Sequence, residues 1–169
     1  DAPGRAESLV QECSAWSAGR RCELALTLST VDGLDTALLH RRQLAAFVPA
    51  GRLHHLILTP EEETCEQPGS APCAFSARFN FFQSTWHRVI RLRTYYLARF
   101  FAAGANVLQL DADVIFFNNP LPFFDSRYAG YGLLTQRDGF SNSGIVAARH
   151  CGVASDLAIG WLLAEWSNR

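Results

Sequence analysis

The stretch Asn106-Val-Leu-Gln-Leu-Asp111-Ala-Asp113-Val-Ile-Phe-Phe117 decides how this chain reads. Five residues of strand character run into two carboxylates, and four apolar residues follow. A buried carboxylate without a partner costs several kcal/mol or takes up a proton, so something must neutralise Asp111 and Asp113. Residues two apart on a strand share a face, which lets both carboxylates converge on one cation. Oxygen-only ligands suit a hard ion such as Mn²⁺ or Mg²⁺. The plainer reading is two aspartates in an exposed turn, one of them capping, and the apolar residues on either side speak against it.

Working outward, the pattern alternates strand and helix. Upstream, Ser84 to Ala103 predicts a helix with Trp86, Val89, Ile90, Arg93, Tyr96, Leu97, Phe100 and Phe101 on one face, and Gly104 is its natural end. Earlier still, Glu23–Ser29 reads as a strand, Asp35–Val48 as a helix stopped by Pro49, and His55–Thr59 as a second strand closed by Pro60. The charged, Pro- and Gly-containing stretch from Glu61 to Ala74 reads as an exposed loop. Downstream come strands near Tyr131–Gln136 and Gly144–Ala148, then an apolar helix from about Val153. Alternation of this kind predicts an α/β fold with a mostly parallel, doubly wound sheet, whose ligands bind beyond the carboxyl ends of the strands. Asp111 and Asp113 fall at such an end.

With 169 residues and 49% hydrophobic content, the chain reads as one domain able to bury a substantial core. A net charge of −1 argues against a broad electrostatic grip on nucleic acid. All fifteen basic residues are Arg, and Met is absent. The start at Asp1-Ala-Pro-Gly suggests a processed or excised chain. No stretch reaches the roughly 20 apolar residues of a membrane span, so any anchor is expected outside it. The five cysteines, Cys13, Cys22, Cys65, Cys73 and Cys151, show no short C-x-x-C spacing for zinc or redox work. Cys13 with Cys22 and Cys65 with Cys73 fit local disulfides in a secretory lumen, leaving Cys151 free; five reduced thiols in a cytosol are the other reading. His87 and His150 lack a partner at metal spacing and read as structural.

The run from Arg93 through Gly104-Ala-Asn-Val-Leu-Gln-Leu-Asp111-Ala-Asp113-Val-Ile-Phe-Phe-Asn-Asn-Pro120, with the later Ser141-Asn142-Ser143-Gly144, resembles the nucleotide-diphospho-sugar transferases of the plant and algal cell-wall group. Relatives there include α-xylosyl- and arabinosyltransferases and, more distantly, glycogenin-like enzymes. The resemblance covers residues 84–166 well and Cys22 to Thr59 in outline. It implies a GT-A fold over residues 22–169, truncated at its carboxy end, after an amino-terminal extension of residues 1–21. It also implies a metal-dependent glycosyltransferase of the Golgi or secretory lumen that moves a sugar from a nucleotide-diphospho-sugar to a glycan or glycoprotein acceptor, with a retaining outcome.

The resemblance distributes roles. Asp113 is the expected direct ligand of Mn²⁺ or Mg²⁺, with Asp111 on the sugar or ribose hydroxyls or reaching the metal through water. Arg93 is placed to pair with the Asp cluster or a phosphate, against the plain reading of one surface arginine among Arg88, Arg91 and Arg99. Asn142 and Gly144 fit a sugar-reading loop, against an ordinary Asn-Ser-Gly turn. Thr30 and Asp32 leave the first strand where base and ribose are received, although Asp32 or Asp35 also suits a helix N-cap. Gln136 and Asp138, with Arg137 between them, end another strand toward sugar or acceptor. The family pattern continues to an Asp-Gln pair and a metal-binding His, and the chain stops at Arg169 before either. Two other classes share features: a haloacid-dehalogenase-type phosphohydrolase, with Asp111 as nucleophile and Asp113 as general acid, and a non-catalytic binding module of the same fold.

Overall fold

A computed structural model of the chain describes residues 5–16, 20–80, 84–138 and 140–168; the side chains of residues 5, 6, 16, 137, 138, 140–143 and 168 lie outside that description. In chain order the elements are α1 (Arg5–Trp16), β1 (Glu23–Leu28), α2 (Leu34–Phe47), β2 (His54–Thr59), α3 (Glu62–Glu66), β3 (Cys73–Phe75), α4 (Thr85–Ala102), β4 (Asn106–Leu110), β5 (Leu133–Asp138), β6 (Phe140–Ala148) and α5 (Val153–Asn168). The strands form one six-stranded sheet in the order β3-β2-β1-β4-β6-β5. β3, β2, β1 and β4 are parallel, and β6 runs antiparallel to both β4 and β5. The mostly parallel sheet is thus as expected, with β6 as its one reversed strand.

Period-2 alternation splits the core. Leu24, Leu26, Leu56, Leu58, Val107 and Val146 meet Leu92, Leu97, Phe100 and Phe101 of α4 on one face, together with Val10 of α1 and Leu163 of α5. Ala25, Leu108, Leu110 and Ala147 face Leu44 of α2 and Val48 just beyond it on the other. Helix α4 ends as its Gly requires: Gly104 has φ 103°, its N–H donates to Phe101 O and that of Ala105 donates to Phe100 O. Those paired bonds close the last turn and aim the chain into β4.

Two expectations are corrected, and the amino-terminal extension acquires structure. The Glu61–Ala74 stretch is not a plain exposed loop: it holds α3 and the edge strand β3, and Thr64 and Ser70 are buried. Arg41 organises its turn, its guanidinium donating to the carbonyls of Gly69, Ser70, Ala71 and Pro72. Part of the amino-terminal extension is helical. α1 is tied to the domain by the disulfide Cys13–Cys22 and by Arg99 Nη2 to Glu7 Oε1 at 2.6 Å. The strand of the opening motif stops at Leu110, so the carboxylates lie in the turn that follows, and Ile115 and Phe117 are 60% and 88% exposed.

The second disulfide, Cys65–Cys73, is also formed, and Cys151 is free and exposed. His150 is structural as expected: its ring stacks on Phe101 at 4.1 Å and meets Asp156 Oδ2 and Phe101 O at 2.8 and 3.0 Å. No helix among the described residues is long and apolar enough to cross a membrane.

Candidate functional site

The strand order reverses between β1 and β4, and a parallel sheet opens its ligand crevice at the carboxyl ends of such a pair. Thr27 pairs with Leu110 in register, which puts the Ser29–Gly33 segment beside Asp111–Asp113. The β5–β6 hairpin extends past the same end, with Gln136 opposite Asn142.

Asp111 is held three ways. Its Oδ1 accepts a hydrogen bond from Arg93 Nη1 at 2.7 Å, its N–H donates to Gly144 O at 2.8 Å, and its carbonyl accepts from Val114 N–H at 3.2 Å. The Arg93 side chain is 9% exposed and that of Asp111 40%. The neutralising charge that the sequence demanded is therefore, for Asp111, a guanidinium reaching over from α4. Between the aspartates, Ala112 packs inward against the cluster of Leu34, Ala37 and Ile57, while Asp113 is exposed. The two aspartates therefore do not share a strand face: they flank Ala112 in a turn, Asp111 paired with Arg93 and Asp113 exposed.

Gly144 lies within β6 as a ladder neighbour of Asp111, so the Asn142-Ser-Gly144 segment is strand and not loop. The side chains of Asn142 and Asp138 lie outside the described residues, and Gln136 is exposed at the hairpin. Thr30 precedes a single 3-10 turn, Val31–Gly33, and makes no side-chain capping bond; Gly33 is the N-cap of α2, so neither Asp32 nor Asp35 caps it. Glu61, unremarked in the sequence, braces this turn by accepting from Val31 N–H at 2.9 Å.

Beneath the site lies a polar network in the α2 face of the sheet. Thr27 Oγ1 sits 3.2 Å from His40 Nδ1 and 2.9 Å from His55 Nε2, and Arg41 Nε donates to His55 Nδ1 at 3.0 Å. The His40 ring lies 5.3 Å from that of Phe116 at an interplanar angle of 7°. Burial lowers His40 to about 4; burial first, then the charges of Arg41 and His40, lowers His55 to about 3. Both imidazoles are neutral at pH 7. The members are separated by 13 to 28 residues, which hides the network from sequence reading. The one available signal is His40 on the buried stripe of α2, between Ala37 and Leu44.

No group of three or more His, Cys, Asp or Glu side chains among the described residues is placed to hold a metal. Two carboxylates at a strand end nonetheless offer the hard oxygen set that Mg²⁺ or Mn²⁺ takes when a ligand's phosphates and water complete the shell.

Fold and site together define an α/β protein with a carboxylate-bearing turn at the switch point of its sheet. The sequence profile of the nucleotide-diphospho-sugar transferases matches residues 61–152, more than half of the chain. The chain belongs to the nucleotide-diphospho-sugar transferase family. Among solved structures it is similar to an active-site mutant of LgtC, with 14% identity, a TM-score of 0.56 and coverage of 86% of this chain and 59% of that one. It is also similar to galactosyltransferase LgtC in complex with donor and acceptor sugar analogues, with 13% identity, a TM-score of 0.52 and coverage of 86% and 60%. These likenesses identify the fold as GT-A, and the chain spans about three fifths of the length of those proteins. No curated protein sequence matches it.

Proposed function

We propose that the chain is the nucleotide-sugar-binding part of a glycosyltransferase that moves a sugar from a nucleotide-diphospho-sugar to a glycan or glycoprotein acceptor. The observation that carries the reading is the Arg93–Asp111 ion pair at the β1/β4 switch point, with Asp113 turned out beside it.

A diphosphate and two carboxylates repel each other, so the pair serves such a ligand through a divalent cation held by Asp113 and Asp111. Bound there, Mn²⁺ or Mg²⁺ supplies Lewis-acid stabilisation of the departing diphosphate. Arg93 fixes the Asp111 rotamer through a charge-assisted bond, so the carboxylate is oriented before ligand arrives. Thr30 and Asp32, on the turn braced by Glu61, receive the nucleoside. Gly144 keeps the β6 backbone against Asp111, and the hairpin that carries Gln136, Asp138 and Asn142 is assigned to sugar and acceptor. LgtC, crystallised with donor and acceptor sugar analogues, supports both kinds of partner. A retaining outcome follows the family resemblance, and the two disulfides favour a Golgi or secretory lumen.

Calorimetry with uridine and guanosine diphosphate sugars, with and without Mn²⁺, tests the reading. Metal-dependent binding that Asp113→Asn abolishes without loss of the thermal transition is expected. Affinity unchanged by chelator would overturn it.

A further inference from the structure

Arg41 can only donate, so its bond to His55 Nδ1 places the proton of neutral His55 on Nε2. That N–H donates to Thr27 Oγ1, and the Thr27 hydroxyl in turn donates to His40 Nδ1. His40 therefore carries its own proton on Nε2, a buried donor that finds no acceptor among the described residues. A leucine would fill this site without that orphan. What leucine lacks is a flat ring held by its edge and offering its face to Phe116.

Phe116 matters because of where it sits. From Asp113 to Phe117 exposure alternates: Asp113, Ile115 and Phe117 are exposed, while Val114 and Phe116 turn inward. Phe116 is thus an inward anchor of the segment that presents Asp113. One side of it is open, since it also lines a groove of about 340 Å³ with Leu108, Phe123, Leu134 and Ile145. A ring bordering open space is positioned by its packed side, and there the His40 face lies parallel to it.

We propose that His40 is a positioning residue for the Asp113 segment: the chain Arg41–His55–Thr27 orients its ring, the ring fixes Phe116, and Phe116 sets the segment that turns Asp113 outward. The importance of Asp113 rests on the proposed function; the packing relation does not.

Two measurements on the full chain separate those levels. Hydrogen–deuterium exchange of residues 113–117 reads the packing, and calorimetry with Mn²⁺ and uridine diphosphate reads the ligand site. In His40→Leu, exchange in that segment is expected to rise about tenfold while the β1 and β4 amides stay protected. Affinity for Mn²⁺ with uridine diphosphate is expected to fall by about tenfold, and His40→Leu/Phe116→Leu to be no worse than either single variant, as coupled neighbours require. If His40→Leu does not fold, Thr27→Val, which keeps shape and removes the bridging hydroxyl, must give the same local rise. Unchanged exchange in residues 113–117, a uniform rise over the whole chain, or additive effects in the double variant each overturn the proposal. If the parent chain binds no nucleotide, the proposed function fails, and the exchange data alone decide the role of His40.

Discussion

Arg93 and Asp111 meet at 2.7 Å across 18 residues of sequence, and their surroundings are unequal: the guanidinium is 9% exposed, the carboxylate 40%. Removing either partner ends a charge-assisted bond, so Asp111→Asn and Arg93→Gln are each expected to destabilise the chain by on the order of 1 kcal/mol. Urea unfolding of the two variants checks the loss. Both should weaken Mn²⁺-dependent nucleotide-sugar binding, and Arg93→Lys should not restore it, because an ammonium lacks the planar fork that fixes the carboxylate.

The histidine pair makes stability depend on pH. His40 titrates near 4 and His55 near 3 in the folded chain, against about 6.5 when unfolded. Their folded pKa values are depressed, so the unfolded chain binds more protons as the pH falls, and their stabilisation is present in full only above about 6.5. It is lost progressively from there toward pH 4 and below, with a slope approaching about 1.4 kcal/mol per pH unit for each histidine. His55→Gln should flatten the stability profile between pH 6 and 4 by about one such slope. An identical profile in the variant would show that the ring titrates normally.

Cys13–Cys22 and Cys65–Cys73 are local bridges, with sequence separations of 9 and 8. Each is expected to stabilise by about 2–3 kcal/mol on the chain-entropy view. Peptide mapping of unreduced protein from a secretory host should recover both pairs and alkylate Cys151 alone. Five alkylatable thiols without reductant would contradict the pairing and the lumenal compartment together.

Gly132 is a packing position. A Cβ there would overlap Ile159 Cδ1 and come within 3.0 Å of the Arg149 carbonyl. Backbone cannot yield as a side chain does, so Gly132→Ala should push α5 off the sheet at a loss of about 1–3 kcal/mol. Gly160→Ala, on the same helix with nothing within 4 Å of its Cβ, is the control and should leave the denaturation midpoint unchanged or raise it.

Glycosyl transfer and phosphate-ester hydrolysis differ in what Asp111 does. In a transferase it positions metal and nucleotide-sugar, and its bond to Arg93 serves that role. A phosphohydrolase would load it with phosphoryl, a state that beryllofluoride mimics. A chain extended past Arg169 is expected to release nucleoside diphosphate from a nucleotide-sugar with Mn²⁺ and to leave simple phosphate monoesters untouched. Monoester hydrolysis blocked by beryllofluoride through Asp111 would assign the strand-end carboxylates to a nucleophile and its acid.

Local pattern determined the element types. The alternation in Glu23–Leu28, the helical spacing from Trp86 to Phe101 and the stop at Gly104 each depend on residues a few positions apart, and all are legible in order along the chain. That Asp111 needs a partner was legible too, because charge in apolar company demands an explanation wherever it folds. Tertiary structure decided how that charge is met. The strand ends at Leu110, Ala112 turns inward, and Arg93 arrives from another element, three facts that depend on sheet pairing and helix packing. The edge strand β3 and the turn gripped by Arg41 were read as loop, since three residues and a cluster of polar ones carry no period of their own. His40, Thr27 and His55 come together only when α2 is laid across β1 and β2, and a contact made by long-range packing leaves little trace in the sequence on either side of it.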